Sequence, residues 1–491
     1  MNSDGNRKAT GHRIRAIGAL LLALFAIGHF TSEASAGTRP LKTGVTVIDF
    51  TNTSEAGYKR IRSTGATLTR VIITWPLVVG SKAPANPSDP ADPAYSWGHY
   101  DTQIQNAVNA GLTVLVQING APKWAERCKT QSTTATCNPN PVAFARFARA
   151  AATRYSGTYE GLPRIRYWEP LNEPNLESNF LPQRRSSGKQ SPVLYRSVLN
   201  RFAAAVKGVD PTNLVVGGGL SPLGGGNSYH PLAFARQLLC MQGRSRPTPI
   251  RGCSGTARFD IWASNPYTTG GPTHKSTNPD DIQLGDLSSM SRLLRAARKA
   301  GKIRSSFKSI PYWLTEFSWD SNPPDPGGVK MPLLKRWTAH AMFQAWRSGV
   351  SAFFWFSLRD IERTQGHPYA WTLESGLYQR SNSLSNDQPK GNLTAFRFPV
   401  VAFRRPGGIY FWGRNPGGKS GKAVIRFRPP NGSGSRVLKR IKVGSGGVFQ
   451  GFVRTRLGRN FKGSVFADSG GQASVPFSLT TVKDFYQPPF G

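Results

Sequence analysis

The chain has 491 residues, more than one hydrophobic core usually serves, so a large domain and a smaller one are expected. It carries 63 Lys and Arg against 26 Asp and Glu, a formal net charge of +37. Such a field favours anionic partners, although a solvated basic surface gives the same count, and no helix-turn-helix, zinc-finger or RRM pattern points to nucleic acid.

In chain order, the first feature is a basic run, RKATGHRIR from Arg7, followed by the apolar AIGALLLALFAIGHF from Ala16. The apolar run is short for a stable membrane span. ASA at Ala34–Ala36 supplies a small-x-small cleavage pattern, so residues 1–36 read as a secretory signal, with an uncleaved anchor as the alternative. No later segment looks transmembrane. The expected location is secreted or extracellular, with retention at the cell surface left open.

From about residue 40 to 393, β-branched runs alternate with helical stretches. Eight strands are expected, starting near Thr43, Thr67, Leu112, Arg164, Asn213, Phe259, Ile310 and Val350. Helical patterns lie between them, such as PVAFARFARAAATRY from Pro141 and LLKRWTAHAMFQAW from Leu333. Eight β–α repeats predict an α/β fold, a (β/α)8 TIM barrel. Helix-to-strand links are short (NAGL, VDPTN, RSGV), whereas strand-to-helix links are long and irregular. Long loops therefore gather at the C-terminal ends of the strands, where barrel enzymes hold their chemistry.

Four cysteines lie within this stretch and allow three pairings. Two local bridges, Cys128 with Cys137 and Cys240 with Cys253, are the simplest and agree with export. No CxxC or HExxH accompanies them, so no metal is expected, and no cofactor motif appears. From residue 394 to 491 the helical patterns vanish, and short apolar runs punctuated by Gly, Pro, Asn and Ser predict a small all-β sandwich domain. From Gly391 onward there are 17 Lys and Arg and only two acids, both Asp. This part could bind an acidic polymer or serve as a packing module on the barrel's flank, and the second is favoured.

With acids this scarce, a Glu just after a strand stands out. Glu173, in WEPLNEPN, follows the fourth strand, and Glu316, in WLTEFSW, follows the seventh. In a closed eight-stranded barrel these two strands face each other across the mouth. Two carboxyl groups on opposite sides of one bond are what hydrolysis of a glycosidic bond requires: one protonates the leaving oxygen, the other attacks the sugar carbon or activates water. A single Glu in such a place is more often a salt-bridged or solvated residue. Two of them, both after strands and both among Asn and aromatics, reverse that balance.

NEP after strand four and a Glu in an aromatic-flanked strand seven resemble the retaining barrel glycosidases of clan A. WEPLNEPN, with APKWA after strand three and NPY on strand six, is most similar to glycoside hydrolase family 39, with family 5 close behind. The resemblance covers the barrel. It implies that Glu173 is the general acid/base and Glu316 the nucleophile. It further implies that Asn172 bonds the substrate's 2-hydroxyl, that Tyr267 hydrogen-bonds the nucleophile, and that Arg70 keeps it ionised. Two departures bear on the substrate more than on the reaction. Asn265-Pro266-Tyr267 stands where the family often has His-Pro-Tyr, and Leu171 after Pro170 stands where relatives show an aromatic. Pro170 is expected to mark a local bulge.

Glu169 shares strand parity with Glu173 one layer deeper and reads as the partner of a buried arginine, Arg70 being the candidate. Asp49, Asp360 and Glu374 read as loop caps or substrate contacts. Among Trp75, Trp124, Trp319, Trp355 and Trp371, each more often core than platform, Trp355 is expected to floor the cleaved sugar's site and Trp124 to flank it, because sugar CH faces stack on aromatic rings. The expected partner is a carbohydrate, an acidic glycan or cell-envelope polymer being suggested by the charge. The alternative is a non-catalytic glycan- or cell-wall-binding protein on a degenerate barrel, which would leave Glu173 and Glu316 unexplained.

Overall fold

The computed structural model describes residues 38–47, 53–128, 135–184, 190–362, 369, 373–432, 434–456 and 462–489. The signal expected at residues 1–36, Asp49 and Trp371 lie outside the described residues. Among the described residues no helix is long and apolar enough to cross a membrane.

Eight parallel strands close into a barrel in sequential order. They are β1 (Lys42–Thr46), β2 (Leu68–Thr74), β3 (Thr113–Asn119), β4 (Tyr167–Pro170), β5 (Leu214–Leu220), β6 (Ile261–Ser264), β7 (Tyr312–Leu314) and β8 (Val350–Phe356). Around them run α1 (Glu55–Ser63), α2 (Gly98–Asn109), α3 (Pro141–Arg154), α4 (Ser191–Val209), α5 (Pro231–Leu238), α6 (Leu287–Lys299), α7 (Met331–Arg347) and the short α8 (Asn392–Arg397). Pro at the first turn of α3, α4, α5 and α7 starts these helices where a missing N–H costs nothing. The expected loop asymmetry holds only in part, because residues 155–166, 239–260 and 300–311 also make long links into β4, β6 and β7. Residues 110–112 and 348–349 suffice to enter β3 and β8, whereas residues 171–190, 265–286 and 357–391 follow β4, β6 and β8.

The period of two along each strand sorts the barrel's interior. Its lower part is apolar: Leu68, Leu115, Leu214, Val216, Ile261, Trp313, Ala352 and Phe354 form one buried cluster. Gly44 belongs to this layer because a Cβ there would stand 2.5 Å from the Phe354 ring. Toward the loops the inward positions turn polar, with Arg70, Gln117 and Glu169 all fully buried. Buried polar groups are tolerated only when partnered, so this upper layer must supply its own partners.

Beyond α8 the chain forms two antiparallel sheets. One consists of β9 (Val400–Arg405), β10 (Gly408–Arg414) and β13 (Val448–Arg454); the other of β11 (Gly421–Arg428), β12 (Arg436–Val443) and β14 (Ser464–Ser469), in the order β12–β11–β14. The first sheet packs on α7: Phe343 meets Phe403 at 5.4 Å and Trp412 at 5.6 Å, and Trp346 meets Trp412 at 5.7 Å. Full burial of such side chains contributes about 1.5–3 kcal/mol each. Arg414, itself buried, donates to the Leu41 carbonyl at 2.6 Å. The β domain is thus joined to the barrel through one continuous core. Two disulfides staple barrel loops, Cys128–Cys137 and Cys240–Cys253, in the local pairing expected.

The last described segment returns to the barrel mouth. Asp484 accepts from the Gly271 N–H (2.6 Å) and faces His274 Nδ1 (2.8 Å). The Gln487 N–H donates to the Thr269 carbonyl (3.0 Å), and the Pro489 carbonyl accepts from the Asp320 N–H (2.6 Å). Phe485 packs beside Trp337 at 5.4 Å.

Candidate active site

The site is built from the polar layer upward. Arg70, on β2, is fully buried and faces inward. Its Nε and one terminal nitrogen each donate to Glu169 Oε2 at 3.0 Å. The other terminal nitrogen donates to Glu316 Oε1 at 2.5 Å, and a further bond reaches Asn172 Oδ1 at 3.0 Å. One guanidinium therefore fixes a residue of β4 and one from each of the loops after β4 and β7. Its planar fork of five donors suits this task, whereas a lysine ammonium would not span the same partners. Gln117 adds a donor to Glu169 Oε2 (3.2 Å) and to the Leu171 carbonyl (3.0 Å).

The peptide WEPLNEPN ends a strand and turns sharply. Pairing with β3 continues in register through Pro170, which opposes Ile118, so the bulge expected there is absent. The irregularity falls one residue later. Leu171 has φ +63° and Glu173 φ +44°, both in the left-handed region, where a residue with a Cβ costs about 1–2 kcal/mol. Such strain persists only where the surroundings over-determine the backbone. Here the Leu171 N–H donates to the Ile118 carbonyl (2.8 Å) and the Glu173 N–H to the Gly219 carbonyl (3.0 Å). Buried Asn175 accepts from the Ser221 N–H (3.0 Å) and donates to the Tyr229 carbonyl (3.0 Å). The second asparagine of NEPN is therefore a loop clamp.

A bulge does occur next door, where β6 pairs β5 and the register skips Gly219. Gly218 (φ +99°) and Gly219 (φ +58°) adopt conformations that favour glycine. A Cβ on Gly219 would also stand 2.7 Å from Glu169 Oε1.

The two glutamates singled out in the sequence have unlike surroundings. Glu316 accepts from Arg70 and, at Oε2, from the Tyr267 hydroxyl at 3.2 Å. Glu173 accepts at Oε1 from Asn265 Nδ2 at 3.0 Å, and Asn265 is in turn held by Thr315 Oγ1 (2.8 Å). Burial first, and then the negative charge of Glu316, push the Glu173 carboxyl up to about 8, against the pull of Asn265 and Arg70. Burial also raises Glu169, to about 7, with Arg70 opposing. Burial and the Glu316 charge push the Tyr267 phenol well above its ordinary value, so it stays a donor. Around Arg70 burial works against the charged form, but Glu169 and Glu316 outweigh it and the pKa is raised. The arrangement holds one carboxyl protonated near neutral pH beside another supplied with two donors.

Arg70, Glu316, Asn172 and Tyr267 thus share one hydrogen-bonded network with Glu169 as the arginine's partner, and Glu173, held by Asn265, stands beside it within reach of the Glu316 charge. Trp355 is not part of it. On β8 the inward positions are Ala352, Phe354 and Phe356, so Trp355 points outward. There it is fully buried against Phe396 of α8, with Nε1 bonded to the Ser375 carbonyl at 2.7 Å. The inward aromatic is Phe356, edge-on to Tyr267 at 6.5 Å and 88°. Trp124 is half-buried on a turn after β3 and packs edge-on against Trp75 at 5.5 Å. Trp75 itself stacks on Phe147 of α3, and Trp319 is buried beside Trp337 of α7. Asp360 pairs with Lys390 (2.5 Å) and caps the Gly376 N–H (2.9 Å), and buried Glu374 bonds Lys390 through its carbonyl (2.9 Å). Both knit the loop after β8.

Thr315, Gln117, Phe356 and Gly219 were not singled out from the sequence. The run Gly217–Gly219 inside a strand was the available sign, since glycine there marks a bulge or a close approach. Among the described residues no group of three or more His, Cys, Asp or Glu is placed to hold a metal ion.

No family model matches the chain, and no curated protein matches it. Solved structures do. A monomeric β-xylosidase from Caulobacter crescentus CB15 aligns over 85% of this chain and 94% of its own, with 15% identity and TM-score 0.50. A GH39 enzyme from Xanthomonas axonopodis pv. citri aligns over 85% and 92%, with 15% identity and TM-score 0.49. A family 39 glycoside hydrolase from Bacteroides cellulosilyticus WH2 aligns over 85% and 81%, with 16% identity and TM-score 0.47. At such identities the first of these likenesses speaks to the fold: a (β/α)8 barrel followed by a β domain.

Proposed function

We propose that the chain is a secreted glycoside hydrolase that cleaves O-glycosidic bonds of a poly- or oligosaccharide by a retaining double displacement. The observation that carries this reading is the juxtaposition of half-buried Glu173 and buried Glu316, close enough for the Glu316 charge to act on Glu173 but held by different partners, Asn265 and Arg70. In the first step Glu316 attacks the anomeric carbon while the leaving oxygen takes the Glu173 proton. The product is a glycosyl ester on Glu316, whose negative charge is gone. The second cause of Glu173's raised pKa goes with it, so Glu173 can take a proton from water as that water attacks the ester. Asn172 has its Oδ1 occupied by Arg70, which leaves its amide N–H groups to donate to a sugar hydroxyl. The two disulfides agree with export.

The test is hydrolysis of a panel of aryl glycosides and polysaccharides by the wild type and by Glu316→Ala. A cleaved substrate and a fall of at least about 10²–10⁴-fold in the variant are expected. Proton NMR of the first-formed anomer should show retention; the inverted anomer would replace the double displacement by a single one. A wild type that binds glycans but cleaves none would reduce the barrel to a binding module.

A further inference from the structure

The C-terminal domain has two sheet faces of different fate. One sheet is buried on α7, while the outer face of the β12–β11–β14 sheet lies open. Strand register places Lys422 opposite Lys442, Val424 opposite Arg440 and Asp468, and Arg426 opposite Phe466. Lys422, Arg428, Arg440 and Lys442 are exposed. The two acids found after Gly391 are both engaged: Asp468 pairs with Arg426 at 2.5 Å, and Asp484 is held at the barrel mouth.

Like charges directly opposite on adjacent strands are unfavourable by themselves. Lys and Arg on β12 could serve to blunt an exposed edge strand. That explanation does not reach Lys422, Arg426 and Arg428, which lie on β11, the strand between β12 and β14. Strands lie about 4.8 Å apart and same-face residues about 6.8 Å apart along a strand, so these cations form a two-dimensional array suited to a repeating polyanion. Among the described residues of β11, β12 and β14 no aromatic side chain presents an exposed plane on this face. Phe466 is 7% exposed, beneath Arg428 at 5.0 Å. Neutral sugar rings need such planes to stack on; an anionic polymer needs only the charge.

We propose that this outer face docks an anionic polysaccharide and holds the barrel on it. The choice of a polysaccharide among polyanions rests on the glycosidase reading of the barrel mouth; the anionic character rests on the face alone.

The experiment measures binding of the full chain to polygalacturonate, to neutral xylan and to double-stranded DNA, at low and at elevated salt. It uses the wild type, Glu316→Ala, and the triple variant K422E/R440E/K442E. Polygalacturonate is expected to bind the wild type and Glu316→Ala alike, to be weakened at least about tenfold by salt, and to be lost at least about tenfold in the triple variant. Circular dichroism melting of the triple variant should match the wild type, because exposed substitutions seldom unfold a protein. The proposal is overturned if the triple variant melts normally and binds unchanged, if xylan binds as well as polygalacturonate, or if DNA outcompetes polygalacturonate on this face. A chain that binds polygalacturonate through these residues yet hydrolyses no glycoside leaves the docking face standing and removes the reading of the mouth, so the two failures are distinct.

Discussion

At the barrel mouth one buried cation, Arg70, reaches two carboxylates within 3.0 Å, while on the outer sheet of the β domain several cations stand in solvent around a single aspartate. The two regions use charge differently. In the mouth low polarity makes each interaction strong and local, so the position of one group sets the protonation state of the next. On the sheet each charge is screened within about 8 Å at physiological salt, and only the array has reach. Net charge is therefore a poor guide to where the proposed chemistry lies: its acids are few and stand in the barrel mouth.

The sharpest way to break this contrast is Arg70→Met. Removing one member of a buried ion network costs about 3–5 kcal/mol in urea unfolding, because Glu169 and Glu316 lose their counter-charge. Added salt should not restore it. A loss below about 1 kcal/mol would mean that the mouth is as well solvated as the sheet.

Glu173→Gln is expected to lower turnover by about 10²–10⁴-fold. It should also change how stability depends on pH. Glu173 and Glu169 are raised to about 8 and about 7, so between the ordinary carboxylate range and those values the folded chain binds more protons than the unfolded one. The stability they contribute is full below the ordinary carboxylate value and is lost as pH rises through about 7 to 8. Unfolding of wild type and variant across this window should show a fall that is smaller in Glu173→Gln. If Glu173 is the general acid proposed, wild-type turnover should fall as pH rises through about 8, where it loses its proton.

Gly219→Ala is expected to cost about 1–2 kcal/mol from its positive φ, and more if Glu169 cannot move aside. A loss confined to about 1–2 kcal/mol would show that the Glu169 carboxylate swings aside, and unchanged melting would mean that the backbone relaxes out of its positive φ. The smallest effect belongs to the sheet. Lys442→Ala should alter stability by less than about 0.5 kcal/mol and in the stabilising direction, because a like-charge pair is removed. A clear destabilisation there would mean that Lys442 has a packing role.

The barrel was legible in β1, β2 and β3, which are rich in β-branched residues, and at β3, β5 and β8, which short links enter; β4 (YWEP) and β7 (YWL) hold no β-branched residue. Glu173, Glu316 and their partners were legible because scarce acids beside Asn and Pro have no packing reason to end a strand. The floor of the site was not. VSAFFWFSL places aromatics at consecutive positions, and only the register with β1 shows that Phe356 faces in and Trp355 out. The left-handed Leu171 was not legible either, because a positive φ at leucine is imposed by tertiary contacts and leaves no local mark in the sequence. Asp360 and Glu374 stand after a strand in a long loop, like Glu316, and only their bonds to Lys390 set them apart.

The segment that returns to the mouth sets an order of assembly. Asp484 meets Gly271 across 213 positions of sequence and His274 across 210. During synthesis the barrel's strands and helices are all made before residues 484–489 exist. Until that stretch arrives, the loops bearing Tyr267 and Glu316 lack their outer braces at Thr269 and Asp320. The barrel's sheet and the bracing of its mouth are therefore supplied by different parts of the chain: the strands by residues up to Phe356, the outer braces by residues 484–489.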